Sequence, residues 1–333
     1  MKAYVIKRYG KNPLELVDVP LPTVGDKDLL VEIRAASINP VDFKIRDGKL
    51  KVLLNYDMPL IMGNDFAGVV TKVGSQTTRF KVGDEVYARA PENRIGSFAE
   101  FIAIDEDAVA LKPQKLSFNE AASIPLVGLT SYQAMYDVLK LKPGQKILIH
   151  AGSGGVGTFA IQLAKSIGAF VATTTSESGQ QLVKSLGADK VINYKKENFE
   201  EVLSDFDAVF DTLGGDSLKK SFTILKRGGE IVSVSGVPNA RFANEQGFGI
   251  LKTMIFSLIS LGLRKLENKF GVRYTFLFMK SSGEQLRAIT NLIDAGKVNP
   301  VIDQVFPFNE VQSAIEYSEQ GRAKGKIIVI VKS

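Results

Sequence analysis

Between residues 123 and 235 the chain alternates short apolar runs with segments whose apolar positions recur every three or four residues. Ile147, Leu148 and Ile149 form a wholly apolar, β-rich run, as expected of a strand buried on both faces of a parallel sheet. Val156, Ala160, Leu163, Ala164 and Ile167 then follow at helical spacing up to Gly168, a helix stop. Strands are predicted at 147–150, 169–174, 190–193, 207–211 and 229–235, with helices near 155–167, 178–186 and 215–226. Such alternation builds a doubly wound parallel sheet.

Residues 1–122 have another texture. Turn residues are closely spaced (Pro20, Pro22, Gly25, Gly48, Gly63, Gly68, Gly74, Gly83, Gly96), and 29–38 and 66–74 are strand patterns. This is the grain of a barrel-like, mostly antiparallel domain. A helix at 283–295 and strands near 301–306 and 326–332 return to that style. The expected organisation is a discontinuous β-rich domain, 1–122 with 280–333, around an inserted nucleotide-binding domain, 123–279. The segment 247–265 stands apart, with an apolar run from Met254 to Leu263 broken only by Ser257, Ser260 and Gly262. It is too short to span a bilayer. The expectation is a packed helix covering the active-site cleft. The neighbouring Lys252, Arg264 and Lys265 leave a membrane-surface helix as the second reading.

The chemistry begins where the first apolar run ends. Gly152-Ser153-Gly154-Gly155-Val156-Gly157 fits G-x-G-x-x-G between a buried strand and a helix. The glycines allow a tight turn, close approach to a pyrophosphate and close helix–strand packing, and the helix N-terminus favours an anion. No Gly-Lys-Ser/Thr ends the run, which excludes the other phosphate loop.

Composition changes this picture in a few places. The 333 residues suffice for two domains, and 45% hydrophobic with 23% charged residues is ordinary for a globular protein. A formal charge of +6 eases binding of anionic cofactors. Without a Lys/Arg block interleaved with aromatics, no nucleic-acid partner is expected. There is no cysteine, so disulfides, thiolate nucleophiles and cysteine zinc sites are excluded. The start, MKAYVIKRYG, lacks a signal or transit pattern, and a cytoplasmic location is the expectation. The one histidine, His150, is expected to be structural.

The order of parts resembles the medium-chain dehydrogenase/reductase superfamily, in its zinc-free quinone oxidoreductase and alkenal/enone reductase branch. The resemblance rests on Ala36–Asp42 (ASINPVD), Gly63–Gly68 (GNDFAG), Gly83–Val86 (GDEV), Gly96–Glu100 (GSFAE), Gly128–Tyr132 (GLTSY), the glycine loop, Phe276-Leu277-Phe278 and Gly325–Val329 (GKIIV). It implies a GroES-like β-rich catalytic domain plus an inserted Rossmann domain, and often a homodimer. In the zinc alcohol dehydrogenases of this superfamily a cysteine and a histidine stand where this chain has Asn39 and Asn64, so no metal site is expected. Without a Lewis acid, the tractable substrates disperse the incoming charge through their own conjugation: quinones and α,β-unsaturated carbonyls. A donor for the developing enolate oxygen and a proton for the adjacent carbon are then required. The resemblance points to Lys44 and Asn39 in the substrate cleft, with Tyr132 ranked below Lys44 together with Tyr274.

For the cofactor, the resemblance implies contacts from Thr130, Gly152, Ser153, Gly154, Gly155, Val156, Gly157, Thr174, Thr175, Ser176, Tyr194, Leu213, Gly236, Phe276, Phe278 and Arg322. Thr174 occupies the place where an NAD-selective carboxylate usually stands, which favours NADPH. Ser178 and Gly179 lack the base that NADPH-using relatives carry there, and Glu177 adds a negative charge. The expected function is NADPH-dependent, metal-independent reduction of small-molecule quinones or enones. A zinc-type alcohol dehydrogenase and a non-catalytic NADPH-binding protein are the alternatives.

Overall fold

The computed structural model describes residues 1–332. The chain forms two compact units, 1–129 with 280–333, and 130–279. In the second unit, six parallel strands run in the spatial order Lys190–Asn193, Phe170–Thr175, Lys146–Ile149, Phe206–Asp211, Leu225–Ser233, Arg273–Phe276. This is the strand order of a dinucleotide-binding fold, with the switch in direction beside the strand that carries the glycine loop. Leu148, Ala172, Val209, Phe222, Ile231 and Tyr274 form its core. The central strand is buried at Ile147, Leu148 and Ile149 because helices cover both faces of such a sheet.

The first unit is built on a seven-stranded, mainly antiparallel sheet. The strand Asp28–Ile38 pairs with Asp65–Val73 and with Phe101–Asp105. The C-terminal strand Lys326–Ile330 also pairs with it, placing Ile327 opposite Ile38. A three-stranded sheet (Glu15–Asp18, Lys2–Ile6, Leu60–Ile61) completes the unit. The mixed α/β fold with GroES-like and Rossmann parts is thus as expected from the sequence.

The segment 247–265 departs from expectation. It is two helices, Ile250–Ile259 and Leu261–Phe270, which meet at Ser260. Nor is most of its apolar surface packed: Ile250, Leu251, Met254, Ile255, Leu258, Ile259 and Leu261 are all exposed, while Phe256 and Leu263 are buried. The physical reason is a division of the helix surface. Phe256 alone in the first helix is buried, against Phe242 and Phe248, and this aromatic anchor turns the aliphatic side outward.

Candidate active site and cofactor site

In the nucleotide-binding unit the strand Lys146–Ile149 ends at His150, and Ala151 turns the chain with φ +52°. The glycines that follow are held by crowding. A Cβ on Gly152 would lie 2.1 Å from Thr173 Oγ1, and one on Gly157 would lie 2.4 Å from the Ala151 carbonyl oxygen. A Cβ on Gly154 would meet only that carbonyl, at 3.4 Å, so its outer side is open for a ligand. Gly154 caps the helix Gly155–Ile167 without a side-chain bond, and the first helical turn, with Gly155 and Val156, presents its N–H groups there. This cradle fits the pyrophosphate of a nicotinamide dinucleotide.

Beside it, Thr175 donates to Ser153 at 2.9 Å. A Cβ on Gly179 would lie 2.2 Å from Thr175 Oγ1, and this packing explains the missing base at Gly179. Ser176 and Ser178 share a hydrogen bond of 3.2 Å. The Tyr194 N–H donates to the Thr175 carbonyl at 3.2 Å, which places the exposed Tyr194 ring at the end of the same strand. Lys196, which the sequence reading passed over, forms an ion pair with Glu177 at 3.0 Å. It offsets the acidic charge at this edge. The Lys195-Lys196 pair after the strand Lys190–Asn193 was the available signal.

Thr174 is placed differently from its neighbours. Its hydroxyl lies 3.2 Å from His150 Nδ1 and accepts from the Ala151 N–H at 3.2 Å. His150 Nε2 lies 2.9 Å from Ser221 Oγ, and burial lowers the imidazole pKa to about 4. His150 is therefore a neutral structural residue. Leu213 is exposed, while the Leu213 and Gly214 N–H groups bond to the buried Asp211. Gly236 lies against Tyr274, where a Cβ would be 2.3 Å from the hydroxyl. Tyr274 is fully buried and donates to the Val237 carbonyl at 2.9 Å, so it is a core residue. Phe276 and Phe278 join the cluster around Phe242, at centroid distances of 5.0 and 6.1 Å. Thr130 is buried near the end of the helix Pro125–Tyr132, and the Tyr132 ring lies 4.5 Å from Tyr136.

In the β-rich unit the helix Pro40–Arg46 begins at Asn39, whose backbone N–H donates to Asp42 at 2.7 Å. The Asn39 side chain is fully engaged: Nδ2 donates to Asp65 at 2.9 Å and Oδ1 accepts from Lys326. Asn64 donates to Asp42 at 2.7 Å, and Lys326 lies 3.7 Å from Asp65. All five side chains are buried. Burial raises the Asp42 pKa to about 7 against the hydrogen bonds from Asn64 and Asn39. It also raises Asp65 and lowers Lys326. Lys44, two residues along the same helix, is part-buried, and burial with Lys49 nearby lowers its ammonium pKa. Arg322 is exposed before the strand Lys326–Ile330.

Residues 25–114 match the family model of the alcohol dehydrogenase GroES-like domain, and 186–329 match that of the zinc-binding dehydrogenases. A 2-methylene-furan-3-one reductase of Solanum lycopersicum is 38% identical over 99% of this chain and 79% of its own length. An NADPH-dependent alkenal/one oxidoreductase of Arabidopsis thaliana chloroplasts is 36% identical, with the same 99% and 79% coverage. Among solved structures, the quinone oxidoreductase from Coxiella burnetii superposes with a TM-score of 0.85 at 34% identity, over 100% of this chain and 99% of that one.

The metal in the second family description does not fit here. Asn39 and Asn64 spend their amide nitrogens on carboxylates, and a buried ammonium sits among them. Among the described residues no three His, Cys, Asp or Glu side chains are grouped to hold a metal.

Proposed function

The chain belongs to the quinone oxidoreductase and alkenal/enone reductase branch of the medium-chain dehydrogenase/reductase superfamily, and on that footing we propose that it is an NADPH-dependent, metal-independent reductase of small quinones or α,β-unsaturated carbonyl compounds. The single observation that carries this reading is the glycine cradle, closed by the Thr173 side chain at Gly152 and by backbone at Gly157, and open at Gly154. NADPH, when bound, supplies the hydride.

This chain's own groups do the rest. The cradle and the N-terminus of the helix Gly155–Ile167 hold the pyrophosphate. Ser153, Thr175, Ser176, Tyr194 and Lys196 gather hydroxyls and one cation at the edge where a 2′-phosphate is read. Lys44 serves the substrate: its part-buried ammonium meets the oxygen on which charge collects, and its lowered pKa makes the proton easier to give. Asn39, with its amide committed, positions the start of the Lys44 helix rather than touching substrate.

The test is oxidation of NADPH, followed by its absorbance, with 1,4-benzoquinone or methyl vinyl ketone. Turnover is the expected result. A protein that only binds the cofactor gives thermal protection by NADPH and no oxidation.

A further inference from the structure

The helix Ile250–Ile259 exposes a continuous aliphatic face. Positions 250, 251, 254, 255, 258 and 259 fall on one side of an α-helix. They are occupied by Ile, Leu, Met, Ile, Leu and Ile, exposed by 83%, 73%, 57%, 47%, 63% and 54%. Leu261, at the start of the next helix, extends the patch. Elsewhere among the described residues no helix carries a comparable run of exposed large hydrophobic side chains.

The charged residues that flank this face along the chain are cationic: Lys252 on the same helix, and Arg264, Lys265 and Lys269 on the next, all exposed. Glu267 is the one acidic residue from 250 to 270, and it is already engaged by Arg241 and by the Tyr274 N–H. Arg264 also lines a groove of about 520 Å³ with Arg241 and Arg273. No helix of the described residues is long and apolar enough to cross a membrane. Ten residues of helix rise about 15 Å, half a bilayer's hydrocarbon thickness.

We propose that the two helices Ile250–Ile259 and Leu261–Phe270 dock this protein on the surface of an anionic membrane. The aliphatic face enters the boundary between headgroups and acyl chains, and the lysines and arginines meet lipid phosphates and carboxylates. Charge decides between this occupant and a second copy of the chain. A two-fold contact would set patch on patch and bring both sets of cationic residues together. An anionic surface neutralises the same charges.

The chain contains no tryptophan, so Leu258→Trp supplies a single reporter on the exposed face. The full chain carrying it is mixed with vesicles of phosphatidylcholine containing one third phosphatidylserine, and with phosphatidylcholine alone. The expected result is co-sedimentation with the anionic vesicles, a blue shift of the tryptophan emission and its quenching by brominated lipid. Combining Lys252→Glu, Arg264→Glu and Lys265→Glu is expected to lower the partition coefficient by at least about tenfold at an unchanged thermal midpoint. Leu251→Ser with Ile255→Ser is expected to do the same. Absence of vesicle binding overturns the proposal, as does binding without a change in the tryptophan emission. A dimer that Leu251→Ser with Ile255→Ser dissolves, without vesicle binding, assigns the face to a second copy instead.

Discussion

Asn64 donates its side-chain amide to the Asp42 carboxylate at 2.7 Å, with both groups shielded from solvent. The pair ties the segment before the strand Asp65–Val73 to the first turn of the helix that carries Lys44. Asn64 Oδ1 has no hydrogen-bond partner among the described residues. Burial, with the Asp65 carboxylate nearby, favours a proton on Asp42, and the hydrogen bonds from Asn64 and Asn39 oppose it.

The first prediction follows from that proton. Burial lifts the Asp42 pKa from 3.8 to about 7. The folded state therefore holds the proton more tightly than the unfolded chain. The stability it adds is complete below pH about 4 and declines as pH rises towards about 7. Asp42→Asn, which removes the titrating carboxyl, is expected to flatten this decline by on the order of 2–4 kcal/mol. Denaturant unfolding of both proteins between pH 5 and 8 (a window of roughly three units) measures it. Parallel curves would remove Asp42 as the titrating group.

Lys44→Met is expected to lower kcat by about 10²–10³ with little change in NADPH affinity, the loss of one oxyanion donor. In the parent, kcat should fall as the ammonium deprotonates, at a pH below the ordinary lysine value of 10.5. A kcat unchanged in the variant would assign Lys44 to a solvated surface role.

Cofactor selection should show a preference for NADPH over NADH in kcat/KM of about tenfold to a hundredfold. Lys196→Ala is expected to weaken NADPH by about tenfold and leave NADH nearly untouched. Added salt should erode the preference, because Lys196 is an exposed cation. Equal loss for both cofactors would place the effect on the fold or on the shared pyrophosphate.

Chelation should leave activity intact. Elemental analysis is expected to return no stoichiometric zinc, since Asn39 and Asn64 are poor ligands whose amides are already bonded to carboxylates. About one zinc per chain, with activity lost on chelation, would overturn this.

The sequence by itself determined the two fold styles and the glycine turn. Those signals are local: Ile147–Ile149 carry their own burial pattern, and Gly152 and Gly157 follow within ten residues of it. Tertiary structure alone decided the environment of the charged groups. Lys326 reaches Asn39 across 287 positions of sequence, and Asn64 reaches Asp42 across 22. No periodicity encodes such pairings, because a side chain's pKa depends on what burial removes and on which distant groups arrive in its place. The apolar segment at 247–265 shows the same division. Its composition announces a hydrophobic helix, but the side that faces inward was set by where Phe256 finds Phe242 and Phe248, and that contact exists only in the folded chain.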